Sequence, residues 1–285
     1  LLKQRIITAS WLIPLVIGAV FYVPSQYFSW GLVAVFLIAA KEWGRIIDKN
    51  CNITQWSFTI TIGFLLVALN LFVPSHEVWF KGTLHPVMLA IILIGAMWWA
   101  ISLVFVISYP KSAAFWRNSP TFKSMFGQLT LVPCFASLIA LKSLSSAAMP
   151  FYGGTLIFFV MMVVWAADTG AYFAGKQFGK RKLMPNVSPA KTIEGLLGGL
   201  VATMLVAYAV MTVSPEQELG LVVSVILFVA LVSALGDLSE SMFKRAAQIK
   251  DSGTILPGHG GVLDRIDSLT AALPVFTLLY IAFWM

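Results

Sequence analysis

Residues 219–245 read LGLVVSVILFVALVSALGDLSESMFKR. From Leu219 to Gly236 the run carries no charge, and it is long enough to cross the apolar part of a bilayer, which takes about 20 helical residues. At Asp237 it turns abruptly polar. The same grammar recurs along the chain, with apolar runs at 6–23, 27–41, 56–73, 87–108, 125–141, 154–174, 193–213, 219–236 and 269–285. The protein has 285 residues, of which 59% are hydrophobic and 11% charged. A water-soluble fold could not bury so much apolar surface. The expected class is an all-α polytopic integral membrane protein with nine transmembrane helices, forming a single membrane domain.

The 19 Lys and Arg residues predict its orientation. All but Lys81 and Lys142 fall in alternate inter-span segments, starting with Lys3 and Arg5. Positively charged segments stay in the cytoplasm, so the N-terminus is expected inside and the C-terminus in the periplasm. Dropping any one span would break the alternation, which supports the short run 27–41. Trp11, Trp30, Trp43, Trp56 and Trp79 lie near span ends, where interfacial anchors sit. The run 6–23 follows two cations as a signal peptide does, but no small-residue cleavage site precedes Pro24, so it reads as a retained helix. Cys51 and Cys134 suggest neither a disulfide framework nor a CxxC metal site. The net charge of +7 is spread over loops between spans, and no nucleic-acid partner is expected.

Chemistry concentrates in two segments expected on the cytoplasmic side, 175–192 and 237–268. Asp168 and Asp237 each close an apolar run, and a carboxylate at the rim of a span is costly unless paired, hydrated or metal-bound. For Asp168 alone, snorkelling to the interface explains the position equally well. Ser241 and Lys244 follow Asp237 at i+4 and i+7, which places acid, hydroxyl and ammonium on one helical face. The stretch PGHGG, 257–261, sets Gly258, Gly260 and Gly261 around His259 and cannot be a good helix. Such glycines can leave N–H groups pointing into one concavity, as phosphate-cradling loops do, or can simply make a turn. Asp264 and Asp267 follow on one face of the next helix, with Arg265 placed to fork onto a phosphate and Lys250 and Asp251 just upstream.

In SPAKTIEG, 188–195, Ser188 reads as a helix N-cap with Pro189 at the first helical position. Lys191 then lies in a first turn, where the helix dipole disfavours a cation unless an anionic ligand offsets it; a lysine extended into solvent is the alternative. Acids, cations and glycines at a membrane rim are the equipment of phosphoryl or nucleotidyl transfer, with oxygen ligands suited to Mg²⁺. Neither a Walker A, an HExxH nor a GxSxG motif is present.

The segment SMFKRAAQIKDSGTILPGHGGVLDRID, 241–267, resembles the signature of bacterial phosphatidate cytidylyltransferases (CDP-diacylglycerol synthases). Its pattern is S-x-apolar-K-R, four residues, K-D, then P-G-H-G-G-x-x-D-R-x-D, and every defined position is met. The likeness extends upstream through ADTGAYFAGKQFGKRKL and SPAKTIEG, and so over nearly the whole chain. It implies transfer of the cytidylyl group of CTP to phosphatidate, with release of pyrophosphate, on the cytoplasmic face of a bacterial inner membrane. It further implies Mg²⁺ held by Asp237 and Asp264, a second cation (K⁺), and a homodimer. On that basis residues 1–150 are expected to be scaffold spans with the dimer contacts, and 151–285 the catalytic part.

Asp237, Asp264, Lys244 and Lys191 are the expected catalytic residues. Asp168, Ser188, Ser241, Arg245, Lys250, Asp251, Gly258, His259, Gly260, Gly261, Arg265 and Asp267 are expected to bind substrate, and a lateral opening between spans to admit the lipid. A CDP-alcohol phosphotransferase would need D-x2-D-G-x2-A-R, which the SLTAAL after Asp267 does not supply. A transporter would place its acids at span centres rather than span ends.

Overall fold

A computed structural model describes residues 2–285; the side chains of Leu2, Lys3, Arg5 and Ile6 lie outside the description, among them the two cations that open the charge alternation. The helices are α1 (Leu2–Tyr22), α2 (Ser25–Ile47), α3 (Asn52–Phe72), α4 (Pro86–Ile107), a short α5 (Ala113–Trp116), α6 (Pro120–Lys142), α7 (Tyr152–Phe178), α8 (Ile193–Val213), α9 (Leu219–Ala246) and α10 (Leu263–Trp284). Two small antiparallel hairpins interrupt them: β1 (Trp79–Phe80) with β2 (Thr83–Leu84), and β3 (Lys182–Met184) with β4 (Ser188–Thr192). Every expected apolar run lies within or largely within one long helix. The molecule is an all-α polytopic membrane protein, and among the described residues seven helices, α3, α4 and α6 to α10, are long and apolar enough to cross a bilayer. The apolar part of α1 is shorter, Ile7–Tyr22, and α2 carries Lys41, Glu42 and Arg45 in its last two turns.

Local chemistry fixes the helix ends. Pro86 and Pro120 occupy first-turn positions, where a missing N–H costs nothing, behind His85 and Ser119 caps that accept from Val87 N and Phe122 N. Pro14, Pro133 and Pro274 lie inside helices, as membrane helices allow when neighbours fill the gap. Pro133 of α6 packs on Gly95 of α4 so tightly that a Cβ there would overlap the ring.

The closest helix pair is α7 with α8. Gly170 faces Ala202 and the Gly198 carbonyl, Gly198 faces Ala174, and Gly199 faces the Ala167 carbonyl. Small residues four apart let two backbones touch, which drives packing in lipid, where there is little hydrophobic gain between helices. The opposite face of α8 points outward, with Val201, Leu205 and Tyr208 all exposed.

Beneath the polar end of α9, Phe243 is fully buried among Trp43, Trp98, Trp116 and Phe126, with ring centroids 5.3 Å from Trp43 and 5.0 Å from Trp116. Trp43 therefore departs from the anchor role expected of it. It is 1% exposed and its indole donates to the Lys123 carbonyl at 2.9 Å, because α2 runs on to Ile47 and carries the residue inward. Trp11, Trp30 and Trp56 are exposed, as interfacial anchors are.

Candidate active site

Ends of α2, α7, α8, α9 and α10 meet at one pole of the bundle. The approach to α8 differs from the sequence reading. Ser188 is not a helix cap, since Ser188–Thr192 pairs as β4 with β3, and the cap is Thr192, whose hydroxyl accepts from Gly195 N at 3.1 Å. Both residues satisfy the capping rule locally; pairing with Lys182–Met184 decides between them. Glu194, in the first turn of α8, ties the hairpin down by accepting from Lys180 N at 3.0 Å and Arg181 N at 3.1 Å. Lys191 thus projects from a strand and not from a first helical turn.

Its ammonium lies 2.5 Å from Asp237 Oδ2, across from Asp237 Oδ1, which accepts from Ser241 at 3.3 Å. Asp168 completes this group and interacts electrostatically with Asp237, Lys191 and Arg265. The three side chains line a cleft of about 400 Å³ between α7, α8 and α9. Its remaining walls are largely small or apolar, with Ala167, Ala171, Leu196, Leu200, Ala230 and Ala234 among them.

A second polar centre adjoins it. Asp264, in the first turn of α10, receives Lys244 Nζ at 2.8 Å, Gly261 N at 2.8 Å and Ser252 N at 3.1 Å. Lys244 also pairs with Glu240 Oε1 at 3.0 Å, one turn earlier on α9. Asp267 accepts from Ser268 N at 2.7 Å and interacts electrostatically with both Asp237 and Lys244, which joins the two centres. Gly260 holds a positive φ of 83°, and a Cβ there would crowd Asp264 Oδ2.

The glycine turn is used differently from a phosphate nest. Gly261 N goes to Asp264, while Val262 N and Leu263 N go to Glu42 of α2, at 3.1 Å and 2.7 Å. These N–H groups are satisfied by the chain's own carboxylates. His259 sits in the turn with its main-chain N–H on the Leu256 carbonyl at 2.9 Å, while Nδ1 is buried without a hydrogen bond. Arg245 reaches the Val187 carbonyl at 3.3 Å, and Lys250, Asp251 and Arg265 are exposed around the rim.

Sequence reasoning missed Glu42 and Glu240, which are 3% and 4% exposed. The signal was available, because both are acids near the polar ends of apolar runs, the criterion that singled out Asp168 and Asp237.

Five carboxylates, Asp168, Asp237, Glu240, Asp264 and Asp267, converge here and interact with Lys191, Lys244 and Arg265, and Glu240 Oε2 is buried without a hydrogen bond. Such a concentration of oxygen donors fits a hard cation in kind. Among the described residues no three His, Cys, Asp or Glu side chains form a closed cage. Mg²⁺ does not need one, since one or two carboxylates and substrate phosphates usually hold it.

Comparison with known proteins supplies the family. The profile of the Cytidylyltransferase family matches residues 3–283. The chain is 43% identical to a Pseudomonas aeruginosa protein named phosphatidate cytidylyltransferase, over 100% of this chain and 99% of that one. A Haemophilus influenzae protein of the same name is 41% identical, over 98% and 99%. A Bacillus subtilis one is 41% identical over 59% of this chain and 62% of its own length. The match across nearly the whole sequence, with relatives of 41% and 43% identity over nearly its full length, places this chain in the cytidylyltransferase family.

Proposed function

We propose that the chain transfers the cytidylyl group of CTP to phosphatidate, releasing pyrophosphate and leaving CDP-diacylglycerol in the membrane. The observation that carries this reading is the cleft in which Asp168, Lys191 and Asp237 face apolar walls at one end of membrane helices. Such a space suits a lipid headgroup meeting a nucleotide. The names of the two full-length relatives support it.

A phosphate oxygen of phosphatidate attacks the α-phosphorus of CTP. The new P–O bond forms as the bond to the β-phosphate oxygen breaks, and pyrophosphate leaves with that electron pair. A phosphate monoester already carries about −1.5 to −2 charge at neutral pH, so the nucleophile needs no general base. His259 accordingly anchors the turn and takes no proton. Lys191 and Lys244, each held against a carboxylate, are placed to turn to phosphate oxygens when substrate arrives. Arg245, Lys250 and Arg265 at the exposed rim offset the remaining phosphate charge. Asp237 and Asp264 would hold Mg²⁺, whose chemistry when bound is to neutralise phosphate oxygens and fix their alignment. The family resemblance adds a second cation, K⁺.

Nine spans with a cytoplasmic N-terminus and a periplasmic C-terminus, in a bacterial inner membrane, complete the reading, together with a homodimer formed through residues 1–150. Phosphatidate would enter sideways along the apolar cleft wall. The test is incorporation of radiolabelled CTP into lipid by purified protein with phosphatidate in detergent micelles, with and without Mg²⁺. Wild type should make Mg²⁺-dependent CDP-diacylglycerol, and Asp264→Asn should lose on the order of 10²-fold in rate. Well-folded wild type that makes no lipid-linked cytidine would end the enzymatic reading.

A further inference from the structure

We infer that Glu42 is a positioning residue: its carboxylate, reaching from α2, sets the start of α10 and thereby the placement of Asp264. The inference rests on the proposed cytidylyl transfer for its kinetic readout, though not for its structural one.

Glu42 is 3% exposed, and each of its oxygens is bonded. Oε1 accepts from Val262 N at 3.1 Å, and Oε2 accepts from Leu263 N at 2.7 Å and from the Ser252 hydroxyl at 3.4 Å. The first N–H groups of a helix have no partner within the helix, and a carboxylate there gains both hydrogen bonds and the favourable end of the dipole. One turn further along α2, Arg45 donates to the Ser252 carbonyl at 2.7 Å. Ser252 N in turn donates to Asp264. Two routes therefore run from α2 to Asp264: one hydrogen bond from Glu42 to Leu263, the residue before it, and two from Arg45 through Ser252.

Two glycines of the loop exist to let this carboxylate in. A Cβ on Gly253 would overlap the Glu42 carboxylate, and one on Gly261 would run into Ser252 Oγ and Glu42 Oε2. Neither position has a positive φ, so close approach alone requires glycine there. The α2 end is itself fixed: Lys123 donates to the Ile46 carbonyl at 3.2 Å and to the Ile47 carbonyl, and its own carbonyl accepts from Trp43. A rigid element thus presents Glu42 to a loop that has little regular structure of its own.

Glu42→Gln keeps the size but replaces one acceptor with an NH₂ that opposes a backbone N–H; Glu42→Asp keeps both acceptors and the charge on a shorter arm. The experiment measures kcat and KM for CTP and phosphatidate in mixed micelles, with amide exchange of detergent-solubilised protein in parallel. Glu42→Gln should lower kcat about 10- to 100-fold, the range for a misplaced catalytic group, with KM for phosphatidate little changed, and Glu42→Asp should recover part of the loss. Exchange should quicken over 252–263 and stay as in wild type over 193–200. Should Glu42→Gln not fold, Gly253→Ala, which displaces the carboxylate without altering charge, must show the same pattern. Faster exchange at 252–263 with unaltered kcat would overturn the proposal. So would a fall in kcat that tracks loss of protection throughout the bundle. Wild type inert toward CTP would overturn the proposed reaction, while the exchange comparison still decides whether Glu42 sets the α10 start.

Discussion

Lys191 and Lys244 each sit on an aspartate, yet their surroundings make the fold depend on them to different degrees. The Lys191–Asp237 side chains are 27% and 29% exposed, facing the cleft; those of Lys244 and Asp264 are 12% and 6% exposed, with Glu240 as a second partner. A partly exposed pair holds little folding energy, whereas breaking a buried one strands a charge at a cost of about 3–5 kcal/mol. Lys191→Met is therefore expected to leave folded yield and thermal unfolding close to wild type while lowering CTP incorporation about 10²-fold. Lys244→Met should lower both yield and unfolding temperature. Size-exclusion profiles and melting curves in detergent, read beside turnover, check this; equal loss of folding in both variants would show that exposure does not separate the roles. The residues legible in the sequence were those whose partners lie nearby or whose motif is unusual. Asp237 and Ser241 are a turn apart, and the 241–267 signature is dense in charge. Glu42 could be marked as an acid at the end of an apolar run, but its role could not be read, because its partners lie 220 positions away and Lys41 and Arg45 beside it give the look of an ordinary solvated rim.

At the level of elements, hydropathy alone located every long helix, because a bilayer leaves the backbone little choice but helix and about 20 residues of length. It could not find the β3–β4 hairpin, whose strands are too short for a pattern and whose register is irregular between Lys182 and Met184. Hydropathy ends the apolar run at Gly236, and the helical spacing of Asp237, Ser241 and Lys244 carries the helix on, as α9 does to Ala246. The α7–α8 contact makes a prediction of its own. Gly198 meets Ala174 with no space for a further carbon, while Gly31 on α2 has nothing within 4 Å. Gly198→Leu should separate α7 from α8, destabilise the protein by about 1–3 kcal/mol and lower activity by widening the cleft. Gly31→Ala should be neutral or stabilising by about 0.5–1 kcal/mol, as removing a mid-helix glycine usually is. Similar melting temperatures for the two variants would mean that the small-residue seam does not hold this pair.

Taken as a whole, the molecule has a polar pole and an apolar belt, and charge predicts which way the pole faces. The ends of α2, α7 and α9 and the starts of α8 and α10 share that pole, linked by Glu42 to Leu263, Lys191 to Asp237 and Lys244 to Asp264. These are the segments that hold the Lys and Arg excess, while Lys81 and Lys142 lie away from it. Lys142 is moreover buried, donating to the Val20 carbonyl at 2.5 Å near the α1–α2 turn, so it counts little as a topogenic charge. Cytoplasmic loops retain cations, which predicts a site facing the CTP pool. Single cysteines placed in a background without Cys51 and Cys134 test this. Asn50→Cys, exposed after α2, should react with a membrane-impermeant maleimide only once cells are permeabilised. His76→Cys, exposed after α3, should react in intact cells with an opened outer membrane. The reverse pattern would put the cleft on the side that lacks nucleotide triphosphates and would be incompatible with cytidylyl transfer from CTP; labelling of both sites in intact cells would mean that α3 does not span.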